Sequence, residues 1–296
     1  MHINNDELKK RIAKARALSA RCRLCPRACG RERPKGETGF CGAGRDTKIH
    51  SYRQFLGEEP PISGTRGSGV IFFSHCTMKC VYCQNYRFSQ EGEGYTIGPD
   101  ALSGVMLSLK NSGCHNINLV TPTQYLPEIL ESLLLAKEGG LDIPIVYNTS
   151  GYESTEAIGL LDGIVDIYLA DMRYSDNALS KKYSAASDYV EANRAAISAM
   201  HGQVGELSLE EGVAIKGLII RHLVMPGLAA NTDGALKHIA SRISRATHVS
   251  LMSQYMPLHR AGEFKEISRR IAPEEYRAAC EKMKKYGLHN GWTQNL

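Results

Sequence analysis

The stretch GVIFFSHCTMKCVYC (69–83) combines the pattern of a buried strand with a cluster of cysteines. Its opening run, GVIFF, is almost wholly apolar, which is typical of a strand covered on both faces. Cys76, Cys80 and Cys83 follow directly, in the spacing C-x3-C-x2-C. In a parallel α/β barrel, the loop after a strand lies at the C-terminal face, where functional sites form. The sequence therefore predicts a three-thiol site at one end of such a barrel.

Five further β-rich apolar runs follow, with helical patterns between them. Strands are predicted at 69–73, 117–120, 143–148, 165–170, 215–224 and 248–255. Helices are predicted at 99–113, 125–137, 154–161, 188–201 and 233–245. Such alternation indicates βαβ units and a parallel sheet. Six units predict an α/β fold, a partial (β/α)6 barrel that resembles an incomplete TIM barrel.

The regions on either side of the barrel have a different character. Residues 1–65 are expected to form an amphipathic N-terminal helix and a small cysteine-rich metal module. The barrel is assigned to residues 66–260, and helices at 263–271 and 273–286 are expected within the C-terminal segment 261–296.

Composition excludes several classes of protein. The 296 residues carry a net charge of +5, without the basic clustering that nucleic-acid binding requires, so nucleic acid is not expected as a partner. No apolar segment approaches the length of a membrane span, and the first residues lack the apolar core of a secretory signal. The sequence thus predicts a cytoplasmic protein that has no membrane partner.

Seven of the nine cysteines lie within residues 22–83, and tight spacing without a signal peptide favours metal binding over disulfides. Cys22, Cys25, Cys29 and Cys41 form the series C-x2-C-x3-C-x11-C. Four thiols are a complete ligand set for zinc or for an iron–sulfur cluster, and the sequence leaves both metals open. Cys114 and Cys280 are expected in the core.

Three thiols at 76, 80 and 83 leave one ligand position of a four-iron cluster open, which suits catalysis. A zinc knuckle completed by His75 is the alternative, but His75 is adjacent to Cys76, which would strain a tetrahedral site. The loop resembles the signature of the radical S-adenosylmethionine (SAM) superfamily, in which an aromatic residue, here Tyr82, precedes the last cysteine. The resemblance implies a 4Fe-4S cluster whose open iron is chelated by SAM. It also implies reductive cleavage of SAM to a 5′-deoxyadenosyl radical that abstracts hydrogen from a substrate.

The ends of the later strands extend this resemblance to an uncharacterised branch near the pyruvate formate-lyase activating enzymes. LADMRY (169–174) is similar to the Asp-x-Lys motif of that group, and IIRHLVMPG (219–227) to its Arg-x4-Pro-Gly pattern. The turn VTPT (120–123) stands where the group has a Gly-Gly-Glu motif. The resemblance implies SAM contacts from strand ends and the cysteine loop: Tyr82, Thr121, Thr123, Asn148, Ser150, Asp171, Arg173 and Arg221.

The resemblance implies a radical SAM enzyme that takes electrons from a donor such as flavodoxin or ferredoxin. Its substrate would be a glycine of a partner protein, as for glycyl-radical activases, or a small molecule or another macromolecule. A non-catalytic zinc protein that binds nucleic acid is the alternative from a different class. The sequence does not choose between the substrates.

Overall fold

The computed structural model describes residues 1–294, and within them the chain forms one mixed ten-stranded sheet. Most of the helices pack on one face of it, and the short helix Pro60–Ser63 packs on the other. The strands run in the spatial order β10-β9-β8-β6-β5-β4-β2-β1-β3, with β7 paired to β8. Their bounds are β1 Lys48–Phe55, β2 Ser68–Phe73, β3 Tyr95–Thr96, β4 Ile117–Val120, β5 Ile145–Thr149, β6 Ile167–Asp171, β7 Ser208–Glu210, β8 Val213–Leu223, β9 His248–Met252 and β10 Gly291–Thr293.

The six predicted strands are all present as neighbouring parallel strands, β2, β4, β5, β6, β8 and β9. The α/β class with a mostly parallel sheet is therefore confirmed. The sequence did not predict the antiparallel pair β1 and β3 at one edge, nor the short parallel β10 at the other.

Ten α-helices accompany the strands in the described residues. Their bounds are α1 Asn5–Ala20, α2 Pro60–Ser63, α3 Tyr86–Ser89, α4 Pro99–Asn111, α5 Leu126–Glu138, α6 Thr155–Gly159, α7 Asn177–Ser184, α8 Tyr189–Val204, α9 Ala229–His238 and α10 Pro273–Lys285. The predicted amphipathic α1 buries Leu8, Ile12, Ala15 and Leu18, and it packs on α5. No helix among residues 1–294 has the length and apolarity needed to cross a bilayer.

Successive residues of each parallel strand point to opposite sides of the sheet. Ile117 and Leu119 of β4, for example, belong to the large core beneath the helices. Val146, Ile167, Leu169 and Ile219 belong to a smaller cluster on the other side, which is called the inner face below. The inner face ends, at the carboxyl edge of the strands, in the polar residues of the candidate site.

The prediction of a helix at 263–271 is wrong. That segment forms two 3-10 turns, Ala261–Glu263 and Lys265–Ile267, separated by Phe264 in an extended conformation. The apolar residues Ala261, Phe264 and Ile267 recur every three positions, a spacing that 3-10 turns share with one face of an α-helix. In addition, the predicted helix at 233–245 begins earlier, as α9, and ends in a π-turn over Ile239–Ile243.

The division of the chain at residue 65 remains a prediction. β1, which lies before that boundary, pairs antiparallel with β2, which lies after it, from Ile49↔Phe73 to Phe55↔Ser68. Part of the N-terminal segment is therefore a strand of the sheet, between β2 and β3.

Candidate active site

The cysteine loop begins where β2 ends, at the carboxyl edge of the parallel strands, as predicted. Backbone hydrogen bonds hold it to two distant segments. Lys79 N–H donates to the carbonyl of Ser184 (3.2 Å) and Val81 N–H to that of Tyr183 (2.8 Å), while Arg260 N–H donates to the Val81 carbonyl (2.7 Å). The end of α7 and the segment after β9 therefore set the position of the loop.

Cys80 receives two hydrogen bonds on its sulfur. Arg173 Nη1 donates to Cys80 Sγ at 3.1 Å, and Ser184 Oγ donates to it at 3.0 Å. These two donors come from residues far from the loop in sequence, and together they fix the orientation of the Cys80 side chain.

The other two sulfurs also have polar neighbours. Met78 N–H donates to Cys76 Sγ at 3.4 Å, and the hydroxyl of Ser89 lies 3.2 Å from Cys83 Sγ. Burial raises the pKa of Cys76 to about 12, and the nearby Cys80 adds to the rise. Burial and Cys80 likewise raise the pKa of Cys83. The raised pKa values of Cys76 and Cys83 fit a bound iron–sulfur cluster, since coordination to a metal deprotonates thiols and supplies a compensating positive charge.

Asp171 lies between two arginines at the ends of β6 and β8. Its Oδ2 accepts from Arg173 Nε (2.9 Å) and Nη2 (2.5 Å), and its Oδ1 accepts from Arg221 Nε (2.9 Å). Arg221 Nη2 also donates to Asn148 Oδ1 at 2.6 Å. Burial alone would raise the pKa of Asp171, but Arg221 and Arg173 outweigh it and lower the pKa below its usual value. Asp171 is therefore ionised at neutral pH and orients both guanidinium groups.

A cavity of about 160 Å³ joins the cysteine loop to these strand ends. Four of the predicted SAM-binding residues line it: Tyr82, Asp171, Arg173 and Arg221. Cys83, Met252 and Gln254 also line this cavity. Asn148 contacts these residues by accepting a hydrogen bond from Arg221. Ser150 contributes its backbone carbonyl, which accepts from Tyr189 Oη at 2.9 Å.

The two threonines of the VTPT turn, both predicted as SAM contacts, have different surroundings. Thr123 is buried, and its hydroxyl donates to Glu153 Oε1 at 2.5 Å, on the side of the sheet that carries the helices. Burial raises the pKa of Glu153 to about 7, while Thr123 and Thr149 oppose that rise. Thr121 has a φ of 59°, a left-handed conformation that is rare for a β-branched residue.

This chain is similar in sequence to one known protein and in fold to solved structures. Residues 70–202 match the Radical SAM superfamily. Over 292 residues the chain is 32% identical to Uncharacterized protein MJ0674 of Methanocaldococcus jannaschii, which covers 95% of this chain and 79% of that protein. The chain belongs to the radical SAM superfamily. Membership implies a 4Fe-4S cluster and SAM as cofactors.

Two solved structures are similar in fold to this chain, at 12% identity each. One is Streptococcus suis SuiB bound to precursor peptide SuiA, with a TM-score of 0.51 over 71% of this chain and 43% of that chain. The other is HydG, a maturase of the FeFe-hydrogenase, with a TM-score of 0.50 over 73% of this chain and 48% of that chain. The chain spans less than half the length of either structure, so this likeness concerns the fold alone.

The N-terminal cysteines of this radical SAM protein lie in a short folded-back loop. Cys22 N–H donates to the Arg31 carbonyl (2.9 Å), and Gly30 N–H donates to the Cys22 carbonyl (3.1 Å). Cys22 and Cys41 are buried, Cys25 is partly buried and Cys29 is exposed. Burial raises the pKa of Cys25 to about 12, and Cys41 and Cys22 add to the rise, so the thiols are neighbours. Within residues 1–294, no three His, Cys, Asp or Glu side chains are grouped so as to hold a single metal ion, and the second metal site remains a prediction.

Two arginines attach this N-terminal segment to the radical SAM site. Arg27 Nε donates to the Thr77 carbonyl (2.6 Å), and its Nη2 to the Ala185 carbonyl (2.7 Å). Arg33 is buried and donates to the carbonyls of Gly44 and Gln124.

Gln124 in turn supports the turns that carry the site. Its side-chain amide nitrogen contacts the carbonyls of Ser74 (3.0 Å), His75 (3.1 Å) and Thr121 (2.8 Å). His75 and Thr121 both have positive φ, and such strained residues persist only where their surroundings hold them. His75 Nδ1 lies 2.7 Å from the hydroxyl of Tyr125, which gives that ring a partner outside the cysteine loop.

Several residues of the site were not predicted. Ser184 lies at the end of α7, a helix that was not predicted from the sequence. Asp176, an N-cap whose side chain accepts from Ala178 N–H, could have indicated its start. Glu58 and Glu59 lie on the loop before α2, and Glu58 Oε2 is 3.8 Å from Arg221 Nη1. In the sequence, the only indication of this loop was the pair of adjacent acids followed by Pro60 and Pro61.

Proposed function

We propose that this protein is a radical SAM enzyme in which Cys76, Cys80 and Cys83 bind a 4Fe-4S cluster and SAM occupies the iron that has no cysteine. When bound, the cluster supplies the electron for reductive cleavage of SAM, and the resulting 5′-deoxyadenosyl radical abstracts hydrogen from the substrate. The observation that carries the proposal is the cavity shared by Cys83, Asp171, Arg173 and Arg221, next to a thiol trio in which each sulfur has a hydrogen-bond partner.

The chain's own residues would bind and orient SAM. Arg173 and Arg221 present guanidinium N–H groups at the cavity, and guanidinium groups suit a carboxylate such as that of SAM. Asp171 holds both arginines in place, and its negative charge reduces the net charge that they add to the site. Tyr82 lines the cavity while its hydroxyl lies 2.7 Å from that of Tyr174, so its ring is fixed.

A four-cysteine metal site at Cys22, Cys25, Cys29 and Cys41 is the second part of the proposal, with zinc or an iron–sulfur cluster as occupant. The proximity of these thiols and the full number of ligands support it. Arg27 and Arg33 link this segment to the active-site turns, so metal binding there would stabilise the site from outside.

The substrate that we propose first is a glycine of a partner protein, as for glycyl-radical activases, with flavodoxin or ferredoxin as electron donor. Similarity of the strand-end motifs to the pyruvate formate-lyase activating enzymes supports this. A small molecule or another macromolecule is the alternative substrate. Superfamily membership favours an enzyme over a non-catalytic zinc protein that binds nucleic acid.

Anaerobic reconstitution with iron and sulfide tests the enzyme proposal. Wild-type protein should gain iron–sulfur absorbance and should release 5′-deoxyadenosine when it is reduced in the presence of SAM. Changing Cys76, Cys80 or Cys83 to Ala should abolish SAM cleavage, whereas Cys114→Ala, a buried cysteine outside both sets, should retain it. Cleavage that survives in any of the three loop variants would refute the site assignment.

Metal analysis tests the second site. Iron and zinc should be counted in wild-type protein and in a Cys22→Ala/Cys25→Ala double variant. Loss of zinc alone identifies a zinc site, and loss of iron beyond the first cluster identifies a second cluster. Equal metal content in both proteins would exclude the N-terminal site.

A further inference from the structure

Three buried hydroxyl groups connect the wall of the 160 Å³ cavity to the sulfur of Cys80. Tyr82 lines that cavity, and its Oη lies 2.7 Å from Tyr174 Oη. Tyr174 Oη lies 2.7 Å from Ser184 Oγ, which donates to Cys80 Sγ at 3.0 Å. All four residues are at most 5% exposed, so water does not compete for these hydrogen bonds. The hydroxyls of Tyr82, Tyr174 and Ser184 are called the hydroxyl chain below.

The direction of donation along the hydroxyl chain follows from its sulfur end. A cysteine bound to iron has no proton, so Cys80 can only accept, and the proton of Ser184 is used there. Because a hydroxyl has one proton to donate, Ser184 accepts from Tyr174, and Tyr174 accepts from Tyr82. All three hydroxyls therefore donate toward Cys80, and each one polarises the next O–H into a stronger donor.

Packed aromatic rings keep the two tyrosines of the hydroxyl chain in place. Tyr174 contacts Tyr189 edge to face, with ring centroids 5.4 Å apart, and the ring centroid of Tyr82 lies 5.7 Å from that of Tyr255. The carbonyl of Ser184 accepts from a backbone N–H of the cysteine loop at 3.2 Å. The hydroxyls are therefore held in line with the sulfur by the fold.

The hydroxyl chain acts on the sulfur that has the most donors among the described residues. Cys80 Sγ accepts from Ser184 and also from Arg173 Nη1, at 3.1 Å. Cys76 Sγ accepts from one backbone N–H at 3.4 Å, and Cys83 Sγ has one hydroxyl neighbour at 3.2 Å. Hydrogen bonds to ligand sulfurs raise the reduction potential of a cluster, because they stabilise its more negative, reduced state. Cys80 is thus the ligand through which this protein has most influence on that potential.

We infer that Tyr82 and Tyr174 are positioning residues that raise the reduction potential of the cluster through Ser184 and Cys80. This inference rests on the proposed function and gives the aromatic residue of the cysteine loop a role beyond lining the cavity. A higher potential favours the electron uptake that precedes SAM cleavage. Arg173 contributes separately, because it contacts the same sulfur directly.

Single variants test each hydroxyl without turnover. Redox titration of the reconstituted protein without SAM, followed by electron paramagnetic resonance, measures the potential of wild type, Ser184→Ala, Tyr174→Phe and Tyr82→Phe. Ser184→Ala removes a hydrogen bond to the sulfur, so the ratio of reduced to oxidised cluster at the wild-type midpoint should fall about fivefold. Tyr174→Phe and Tyr82→Phe remove only polarisation of that bond, so the ratio should fall less, and least in Tyr82→Phe.

A double-mutant cycle separates action through the hydroxyl chain from a general structural effect. Tyr82→Phe should lower the potential no further when Ser184 is already replaced by Ala, because Tyr82 acts through that serine. Tyr183→Phe is the matched control. It removes a buried hydroxyl that donates to Glu266, outside the hydroxyl chain, and it should leave the potential unchanged.

Three results would overturn the inference: an unchanged potential in both tyrosine variants of the hydroxyl chain, an equal effect of Tyr82→Phe with and without Ser184→Ala, or a similar fall in Tyr183→Phe. The enzyme proposal is judged separately by release of 5′-deoxyadenosine from wild-type protein. A cluster that shows the expected cycle without that product would refute the radical chemistry and leave the hydroxyl chain established. Wild-type protein that gains no iron–sulfur absorbance would refute both, whereas a cluster whose potential ignores the hydroxyl chain refutes this inference alone.

Discussion

Ser184 Oγ lies 3.0 Å from Cys80 Sγ and donates a hydrogen bond to it. The serine is held in turn by the hydroxyl of Tyr174, at 2.7 Å, and all three residues are buried. A residue at the end of α7 is thus hydrogen-bonded to one sulfur of the cysteine loop.

We expect Ser184→Ala to lower the reduction potential of the bound cluster. A hydrogen bond to a ligand sulfur stabilises the more negative, reduced state, so its loss disfavours reduction. Redox titration followed by electron paramagnetic resonance measures this. Ser180→Ala is the matched control, because Ser180 lies on the same helix and donates to the Asn177 and Ala186 carbonyls. A potential that is unchanged in Ser184→Ala, or equally lowered in Ser180→Ala, would disprove this role.

Asp171→Asn should destabilise the fold by about 3–5 kcal/mol, because it leaves Arg173 and Arg221 without their buried counter-charge. Urea unfolding at pH 7 measures the change in the free energy of unfolding. The control is Asp142→Asn, which breaks an exposed pair with Lys110 and should have little effect.

The contribution of Asp171 should also depend on pH. Its pKa is lower in the folded state than in the unfolded state, where an aspartate titrates near 4. The stabilisation is therefore complete above about pH 5 and is lost as the pH falls through the folded pKa. Unfolding curves between pH 7 and pH 3 should show the difference between wild type and Asp171→Asn shrinking. A difference that is constant over that range would contradict the expected titration.

Gly151→Ala should disrupt the site, because Gly151 has a φ of 72° and almost no room for a side chain. An added Cβ would lie 2.2 Å from Asn193 Nδ2 and 2.3 Å from the Asp171 carbonyl oxygen. We expect a lower melting temperature and weaker SAM binding. Gly104→Ala, in an exposed and open position of α4, should instead stabilise the protein by about 0.5–1 kcal/mol. The interpretation fails if both variants behave alike.

Arg33→Gln should loosen the N-terminal segment, since Arg33 supplies hydrogen bonds to Gly44 and Gln124 from a buried position. Limited proteolysis should then cleave within residues 21–47 faster than in wild type. Arg45→Gln changes an exposed arginine of the same segment and should leave the cleavage rate unchanged. Identical rates in wild type and Arg33→Gln would show that other contacts hold the segment.

The sequence by itself determined the parallel core of the sheet and the position of the cysteine loop. Apolar runs and C-x3-C-x2-C spacing are local properties of the chain, so they can be read without knowing what packs on them. Likewise, the strand-end residues Asp171, Arg173 and Arg221 could be expected to meet, because parallel strands end at one edge. The 3-10 turns after residue 260 misled the reading because apolar residues three apart also fit a helix.

Only the tertiary structure decided which residues from distant parts of the chain contact the site. Ser184 reaches Cys80 across 104 residues, and Glu58 reaches Arg221 from a loop that closes the inner face. Thr123, predicted as a SAM contact, donates to Glu153 Oε1, and only the packed structure brings these two residues together. Such pairings depend on how the elements pack against one another, and no local pattern of residues encodes that packing.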